Sequence, residues 1–240
     1  MKLVARLAWL ALPGALIAQS FEVASIKPND SGSYHSSSNT NDGGWRAENV
    51  SLKQMIEFAY DINDYALSAP DWLDSERFDV QAKSPVPMRG KDFELMLQSL
   101  LADRFGLTTH REPKQISGYA LVPSKNPPTS HPMPAEAHSS MNFSSNAEGG
   151  KMTAKDASMQ QVADFFARQL RQPVEDMTGL SGAFDLNLQW TPDDQTRQAT
   201  GDTPSLFTAV QEQLGLKLRP QKVTVQVLVV DHVERKPTEN

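Results

Sequence analysis

Two histidines that stand beside carboxylates are the residues of this chain best suited to chemistry. His110 and Glu112 follow a predicted strand and, being two residues apart, would share one face of it. Such a pair could act as a general base oriented by a carboxylate. Asp231 and His232 end the last predicted strand, and with His110 they could form a two-histidine, one-carboxylate metal site.

The same spacing also fits two charge clusters at strand ends. No nucleophile accompanies either pair, and nothing in the spacing brings His110 and His232 together. The other histidines, His35, His131 and His138, lie in polar or proline-rich stretches, too far apart for a metal-binding tract, and are expected to be solvated. We therefore expect no catalytic residue, no metal and no cofactor.

Familiar catalytic motifs are missing from the sequence. Gly179–Gly182 lacks the G-x-S-x-G spacing of a nucleophile elbow, and no phosphate-binding loop, dinucleotide fingerprint or H-E-x-x-H is present. Asp79 and Asp185 each follow a phenylalanine in a predicted strand. Each carboxylate is expected to anchor a turn or to pair with an arginine such as Arg77 or Arg104.

Three aromatic residues are candidates for binding a ligand. Tyr65, Trp72 and Trp190 border predicted turns, where an exposed ring can stack on a sugar or a peptide. The alternative is that the same rings pack in the core.

Composition excludes several classes of protein. The chain has 240 residues, 23 basic and 29 acidic side chains, and no cysteine. A net charge of −6 argues against nucleic acid as a partner, because binding it requires a basic surface. Without cysteine there is no disulfide framework.

The first twenty residues are typical of a cleavable signal peptide. Lys2 and Arg6 precede the apolar run Leu7–Ile17, and Ala18–Ser20 fits a small-x-small cleavage site. The run is too short and too interrupted to span a membrane. We therefore predict a periplasmic or secreted protein with no transmembrane anchor after cleavage.

One stretch occurs twice, which predicts an internal duplication. Trp45–Lys83 aligns with Met152–Trp190 at an offset of about one hundred residues. Both copies contain a capping box, Ser51 with Gln54 and Ser158 with Gln161, which predicts a helix start at each place. Asn49 aligns with Asp156 and Asp79 with Asp185 in the same comparison.

The periodicity predicts an α+β fold of two similar β-α-β-α-β-β units, with helices packed on small, mainly antiparallel sheets. Each unit is expected to end in paired strands, 107–111 with 119–123 and 216–219 with 223–230, the last of these central in its sheet. Gly106 and Gly215 are expected at helix C-caps, and Thr203-Pro204 at the start of the last helix.

The predicted organisation is a signal peptide (1–20), a first unit (21–124), a proline- and serine-rich linker (125–150) and a second unit (151–240). If residues 127–145 belong to a linker, their deletion should leave the fold intact.

Several motifs in order, including VSLKQMIEFAY, APDWLDSERFDV, LQSLLADRFGLTTHRE and DMTGLSGAFDLNLQWTPD, resemble an uncharacterised family of exported, soil-associated proteins that is expanded in acidobacteria. The resemblance implies export and no established activity. Each half is also similar to the short N-terminal domain of secretins and TonB-dependent receptors, a small signalling or docking module.

Together these features favour a non-enzymatic binding or signalling module of the cell envelope, whose partner is an envelope protein or a small ligand. Two alternatives stay open. One is an envelope hydrolase or metal-dependent enzyme that uses His110, Glu112, Asp231 and His232. The other is a structural adaptor of a secretin- or TonB-like machine.

Overall fold

The computed structural model describes residues 20–33, 35–41, 43–87, 90–132, 139–146, 149–191 and 204–238. The predicted signal sequence, apart from Ser20, therefore lies outside the described residues. The helices are α1 (Leu52–Tyr60), α2 (Trp72–Ser75), α3 (Lys91–Phe105), α4 (Met159–Leu170) and α5 (Leu206–Leu214). The strands are β1 (Val23–Pro28), β2 (Ser37–Asn41), β3 (Gly44–Ser51), β4 (Leu67–Ser68), β5 (Arg77–Lys83), β6 (Thr108–Pro123), β7 (Ser140–Asn146), β8 (Gly149–Ala157), β9 (Val174–Asp176), β10 (Phe184–Trp190) and β11 (Leu216–His232).

The predicted mixed α+β class is confirmed, with five helices and small, mainly antiparallel sheets in the described part of the chain. The residues form two compact units. The first contains residues 20–62, 69–109 and 230–238, and the second contains 63–68 and 110–229 where these are described. These boundaries differ from the expected ones, because the C-terminal residues belong to the first unit.

The first unit is built on a four-stranded antiparallel sheet with the order β1-β5-β3-β2. Helix α3 packs on this sheet through aromatic pairs. The ring of Trp45 lies 5.6 Å from that of Phe93, and the ring of Phe78 lies 5.2 Å from that of Phe105, both edge to face. Such pairs stabilise the core beyond the area that they bury.

The second unit contains an antiparallel sheet with the order β10-β8-β7. Helices α4 and α5 contribute Phe166 and Val210 to its hydrophobic core, together with Leu188 of β10. A further sheet has the order β4-β11-β6-β9, with parallel pairing at both outer strands. Strand β11 lies between two neighbours, so its predicted central position is confirmed.

Both predicted capping boxes are present. The Ser51 hydroxyl accepts from the Gln54 N–H and the Gln54 side chain accepts from the Ser51 N–H, and Ser158 and Gln161 repeat this arrangement. Gly106 and Gly215 end α3 and α5 with φ of 59° and 62°, as expected of C-cap glycines. These signals are local, so they can be recognised in the sequence alone.

Two local predictions were wrong. The expected strand pairs that end each unit are single continuous strands, β6 with 16 residues and β11 with 17, because lateral pairing within the sheet keeps the intervening residues extended. Helix α5 is capped by Ser205, whose hydroxyl accepts from the Thr208 N–H, and not by Thr203-Pro204. Thr203 lies outside the described residues.

The segment expected to be a linker carries structure. Strand β7 pairs with β8 over seven residues, and His131 forms an antiparallel bridge with Ala183. The Ser124 N–H donates to the Gly215 carbonyl. Residues 124–146, where described, are therefore part of the second unit.

None of the helices within the described ranges is long and apolar enough to cross a membrane.

Candidate functional site

A β-bulge in each unit creates the local geometry of the candidate site. Asn49 in β3 and Asp156 in β8 have φ of 54° and 53°, and each is the extra residue where the register with the next strand shifts. A bulged residue leaves its backbone N–H out of the ladder. In both units an aspartate accepts that N–H: Asp79 Oδ1 lies 2.9 Å from Asn49 N, and Asp185 Oδ1 lies 3.0 Å from Asp156 N.

In the first unit a third residue, Asn29, also contacts the bulge aspartate Asp79. Asn29 donates from its backbone N–H to the Arg77 carbonyl, and its side-chain amide lies 2.6 Å from Asp79 Oδ1. The Asn49 amide donates to two carbonyl oxygens, those of Ser33 and His35. The arrangement therefore contains one carboxylate, and neutral amides supply its donors.

The second unit has ionisable side chains at the corresponding places. His131 donates from its N–H to the Ala183 carbonyl, as Asn29 does to Arg77. The His131 Nε2 atom lies 3.5 Å from Asp185 Oδ1 and 3.7 Å from Asp156 Oδ1. We call His131, Asp156 and Asp185 the His131 cluster. Among the described residues it is the group of histidines and carboxylates whose ligand atoms, all within 4.8 Å of one another, could hold a metal ion.

The two nitrogens of His131 have different surroundings. Nδ1 lies 3.2 Å from the Pro132 carbonyl oxygen, to which it can only donate. Nε2 is shielded from solvent and has no hydrogen-bond partner in the described part of the chain, although 38% of the side chain is exposed. The shielded nitrogen thus faces two carboxylates at distances too long for good hydrogen bonds.

Both bulge aspartates have lowered pKa values. The pKa of Asp79 is lowered first by the Asn29 amide and then by the Asn49 backbone N–H. The pKa of Asp185 is lowered first by the hydrogen bond that its carboxylate accepts from the Asp156 backbone N–H. Hydrogen bonds to the charged form favour that form.

Replacing Asp79 with asparagine is expected to flatten the acid side of the stability curve. Because folding lowers the pKa of Asp79 below its ordinary value of 3.8, its carboxylate stabilises the fold above that value. This contribution is lost as the pH falls through the folded pKa. Urea unfolding across this range should give a steeper fall for the wild type than for Asp79→Asn. Asp74→Asn, at an exposed aspartate in α2, is the control; equal slopes for wild type and Asp79→Asn would contradict the assignment.

A polar groove of about 700 Å³ runs along the edge of β10 in the second unit. It is lined by the β10 edge from Asp185 to Asn187, by Ser124–Asn126, Pro128 and Thr129, and by the end of α5 with Gly215. Within the described residues β10 pairs laterally with β8 alone.

On the edge of β10 that faces away from β8, the backbone groups near the two ends of the strand have hydrogen-bond partners, whereas those in the middle have none among the described residues. Alternate residues of a strand direct their backbone groups to the same side. Ala183 exchanges both backbone hydrogen bonds with His131, and Gln189 exchanges two with the Gln213 side chain. Asp185 and Asn187 share this outward side, and the structure gives their backbone N–H groups no partner among the described residues. The groove thus contains a short stretch of strand edge that no described part of the chain pairs with.

A protein-family model described as "Protein of unknown function (DUF3738)" matches residues 53–233. The chain belongs to the DUF3738 family. The match includes the whole His131 cluster and the β10 edge. No curated protein and no solved structure matches the chain.

The residues predicted for enzyme chemistry lie on β6 and β11 of the DUF3738 chain. His110 and Glu112 are exposed on β6, and Asp231 and His232 are exposed at the end of β11. His232 Nε2 lies 3.1 Å from Glu234 Oε1, an exposed pair. A catalytic role for these residues stays a prediction.

The aromatic candidates have three different environments. Trp190 is 5% exposed, and its ring stacks on Phe143 at 5.8 Å, so it packs in the core and offers little surface to a ligand. Trp72 is half-buried, with the Arg235 guanidinium 4.7 Å from its ring centre. Tyr65 is half-buried; burial raises its pKa and Asn63 donates to its hydroxyl. Ligand binding by Tyr65 and Trp72 stays a prediction.

Sequence reasoning missed the His131 cluster. It treated His131 as solvated, and expected Asp79 and Asp185 to anchor turns or pair with arginines, whereas both hold a bulged strand. The alignment of Asn49 with Asp156 was the available signal, because it shows an amide replaced by a second carboxylate beside Asp185. Nothing local shows that His131 returns to the same point. His138 lies outside the described residues.

Proposed function

We propose that this DUF3738 chain is an exported, non-enzymatic binding module of the cell envelope, which takes an extended peptide segment of a partner protein on the open edge of β10. The observation that carries the proposal is the unpaired, outward-facing backbone of Asp185 and Asn187 inside the groove. An exposed strand edge binds an extended peptide by adding it as a further strand.

The first unit provides an example of the bound arrangement. There the corresponding edge of β5 is covered by β1, which pairs with it from Val23 opposite Lys83 to Pro28 opposite Phe78. In the second unit no described strand pairs with the corresponding edge, which has the His131–Ala183 bridge at one end and the Gln213 side chain and the Thr191–Ser205 bridge at the other. A peptide on β10 would therefore pair with it as β1 pairs with β5, inside the groove that residues 124–126, 128 and 129 border on the other side.

The chemistry of the groove suits a polypeptide. Outward N–H and C=O groups two residues apart repeat at the spacing of an extended chain. Lys125 provides a positive charge, and Asp185 and Glu212 provide negative charges, for side chains of the peptide. Four backbone hydrogen bonds of about 1 kcal/mol each contribute about 4 kcal/mol, most of which the lost freedom of the bound peptide offsets, so backbone pairing alone gives weak binding. Such weak and reversible binding favours a signalling role over a permanent structural one.

We also propose that the two units arose by duplication. In its favour, the order β1-β5-β3-β2 of the first unit has its counterpart in the second as the His131 bridge followed by β10-β8-β7. The bulges, capping boxes and C-cap glycines recur at matching positions. The open edge of β10 would then be a departure of the second copy from the first.

The placement in the envelope is supported by the signal-like residues 1–20. The similarity to exported soil-associated proteins and to the secretin and TonB-receptor module favours the same placement. N-terminal sequencing of the chain recovered outside the cytoplasm tests it, and an intact Met1 would contradict it.

The binding proposal is tested with a hexapeptide that copies Val23–Pro28, the strand that covers β5. We expect it to shift the amide NMR signals of the β10 edge, and we expect Asn187→Pro to abolish the effect by removing an outward N–H. Asn187→Ala keeps that N–H and should bind within a few-fold of the wild type.

A backbone N-methylated form of the same peptide is the second control, because it has lost its hydrogen-bond donors. Shifts confined to other surfaces, or equal binding by Asn187→Pro and Asn187→Ala, would contradict strand addition at β10.

A further inference from the structure

We propose that the His131 cluster binds a divalent transition-metal ion of the zinc type, with His131 Nε2 and the carboxylates of Asp156 and Asp185 as ligands. This inference is independent of peptide binding. One imidazole and two carboxylates are a donor set that suits such an ion, whereas calcium and magnesium prefer oxygen ligands alone.

The distances favour a bridging ion over direct hydrogen bonds. A donor N–H to a carboxylate oxygen normally gives about 2.7–3.2 Å between heavy atoms. Two ligand atoms on a tetrahedral zinc ion, each about 2.1 Å from the metal, lie about 3.4 Å apart. The observed distances from His131 Nε2 are 3.5 Å to Asp185 and 3.7 Å to Asp156. These distances match the separation of two ligand atoms on one metal ion and not that of a direct hydrogen bond.

The orientation of the imidazole is the one that metal ligation requires. Nδ1 faces the Pro132 carbonyl oxygen, which only accepts, so the proton of the neutral ring resides on Nδ1. Nε2 then presents a lone pair to two carboxylates in a place that water does not reach. A hydrogen bond from the other ring nitrogen to a backbone carbonyl is the usual second contact of a metal-ligating histidine. A cation between Nε2 and the carboxylates would satisfy all three groups.

Comparison with the first unit indicates that the ligand set is particular to the second unit and does not follow from the bulge itself. At the corresponding places it has Asn29, Asn49 and Asp79, whose single carboxylate is satisfied by an amide and a backbone N–H. The second unit has the same backbone arrangement with the amides replaced by a histidine and a second carboxylate. Those two replacements convert a self-contained hydrogen-bond network into a ligand set.

The test is titration of the untagged chain with zinc by calorimetry, and with cobalt by visible absorption as a spectroscopic probe. We expect one ion per chain and a rise of the melting temperature with zinc. His131→Asn and Asp156→Asn install the amides that the first unit uses at these places. Both should fold, and both should bind at least about tenfold more weakly, with no melting shift.

His232→Ala is the matched control, because it removes an exposed histidine that faces a carboxylate elsewhere in the chain. It should bind zinc as the wild type does. Absence of stoichiometric binding, unchanged binding by His131→Asn, or loss of binding by His232→Ala would overturn the proposal. The proposal would also be overturned if His131 carried a proton on both ring nitrogens at neutral pH and did not respond to zinc. A proton, and not a metal ion, would then lie between Nε2 and the two carboxylates. Asn187→Pro leaves the three proposed metal ligands unchanged. A failure of peptide binding can therefore be distinguished from a failure of zinc binding.

Discussion

Deleting residues 127–145 is expected to abolish the cooperative unfolding of the second unit. The deletion removes the His131 bridge to β10 and most of β7, which leaves β8 and β10 as a two-stranded pair. A pair of strands is marginally stable by itself, so the remaining structure would depend on the packing of α4 and α5. This expectation reverses the one drawn from composition, in which the segment was a linker that the fold could lose.

Aromatic packing adds to the effect of this deletion. Phe143 of β7 stacks on Trp190 at 5.8 Å and meets Phe165 edge to face at 5.6 Å. Its removal uncovers Trp190, which is otherwise 5% exposed. Aromatic pairs contribute about 0.5–1.5 kcal/mol each beyond their buried area. Against a typical total of about 5–15 kcal/mol for a domain, the combined loss is large.

The measurement is amide hydrogen exchange of α4, which reports the second unit, together with that of α3, which reports the first. We expect protection to disappear in α4 and to persist in α3. A second variant replaces residues 140–146 by a glycine–serine segment of equal length, so that the chain keeps its connection but loses β7. If α4 stays protected in both variants, β7 does not hold the unit together.

Replacing Gly215 with alanine is expected to destabilise the second unit by about 3 kcal/mol or more. Gly215 has φ of 62°, a conformation that costs a residue with a side chain about 1–2 kcal/mol. In addition, a Cβ atom there would overlap the Asn126 carbonyl oxygen, so the backbone of that segment must move. Overpacking of this kind costs a further 1–3 kcal/mol or so. The Ser124 N–H, bonded to the Gly215 carbonyl, would move with it.

Gly106→Ala is the matched control, because Gly106 ends α3 with nearly the same φ of 59°. A Cβ atom at Gly106 would meet nothing closer than His232 at 3.7 Å, an ordinary contact. We therefore expect a loss of only about 1–2 kcal/mol, from backbone strain alone. Unfolding free energies from urea titration compare the two. Equal losses would show that residues 124–126 do not press on Gly215.

The sequence by itself determined the features that depend on neighbours in the chain. The capping boxes at Ser51 and Ser158, the C-cap glycines at positions 106 and 215, and the α+β class are all present as predicted. A cap is a bond between residues three apart, and a left-handed C-cap is a property of one residue, so both can be recognised without knowledge of the fold. The apolar run of β11 likewise indicated its central place in a sheet.

Only the tertiary structure decided what residues 125–150 do and where the candidate site lies. Strand β7 is polar and depends on its pairing with β8, so its composition resembles that of a loop. His131, Asp156 and Asp185 are separated by 25 and 29 residues and meet because a bulge and a bridge fall at the same point. The edge of β10 is open because no described strand covers it, whereas β1 covers the corresponding edge of β5. Pairing between distant strands depends on backbone hydrogen bonds, which carry almost no side-chain signature.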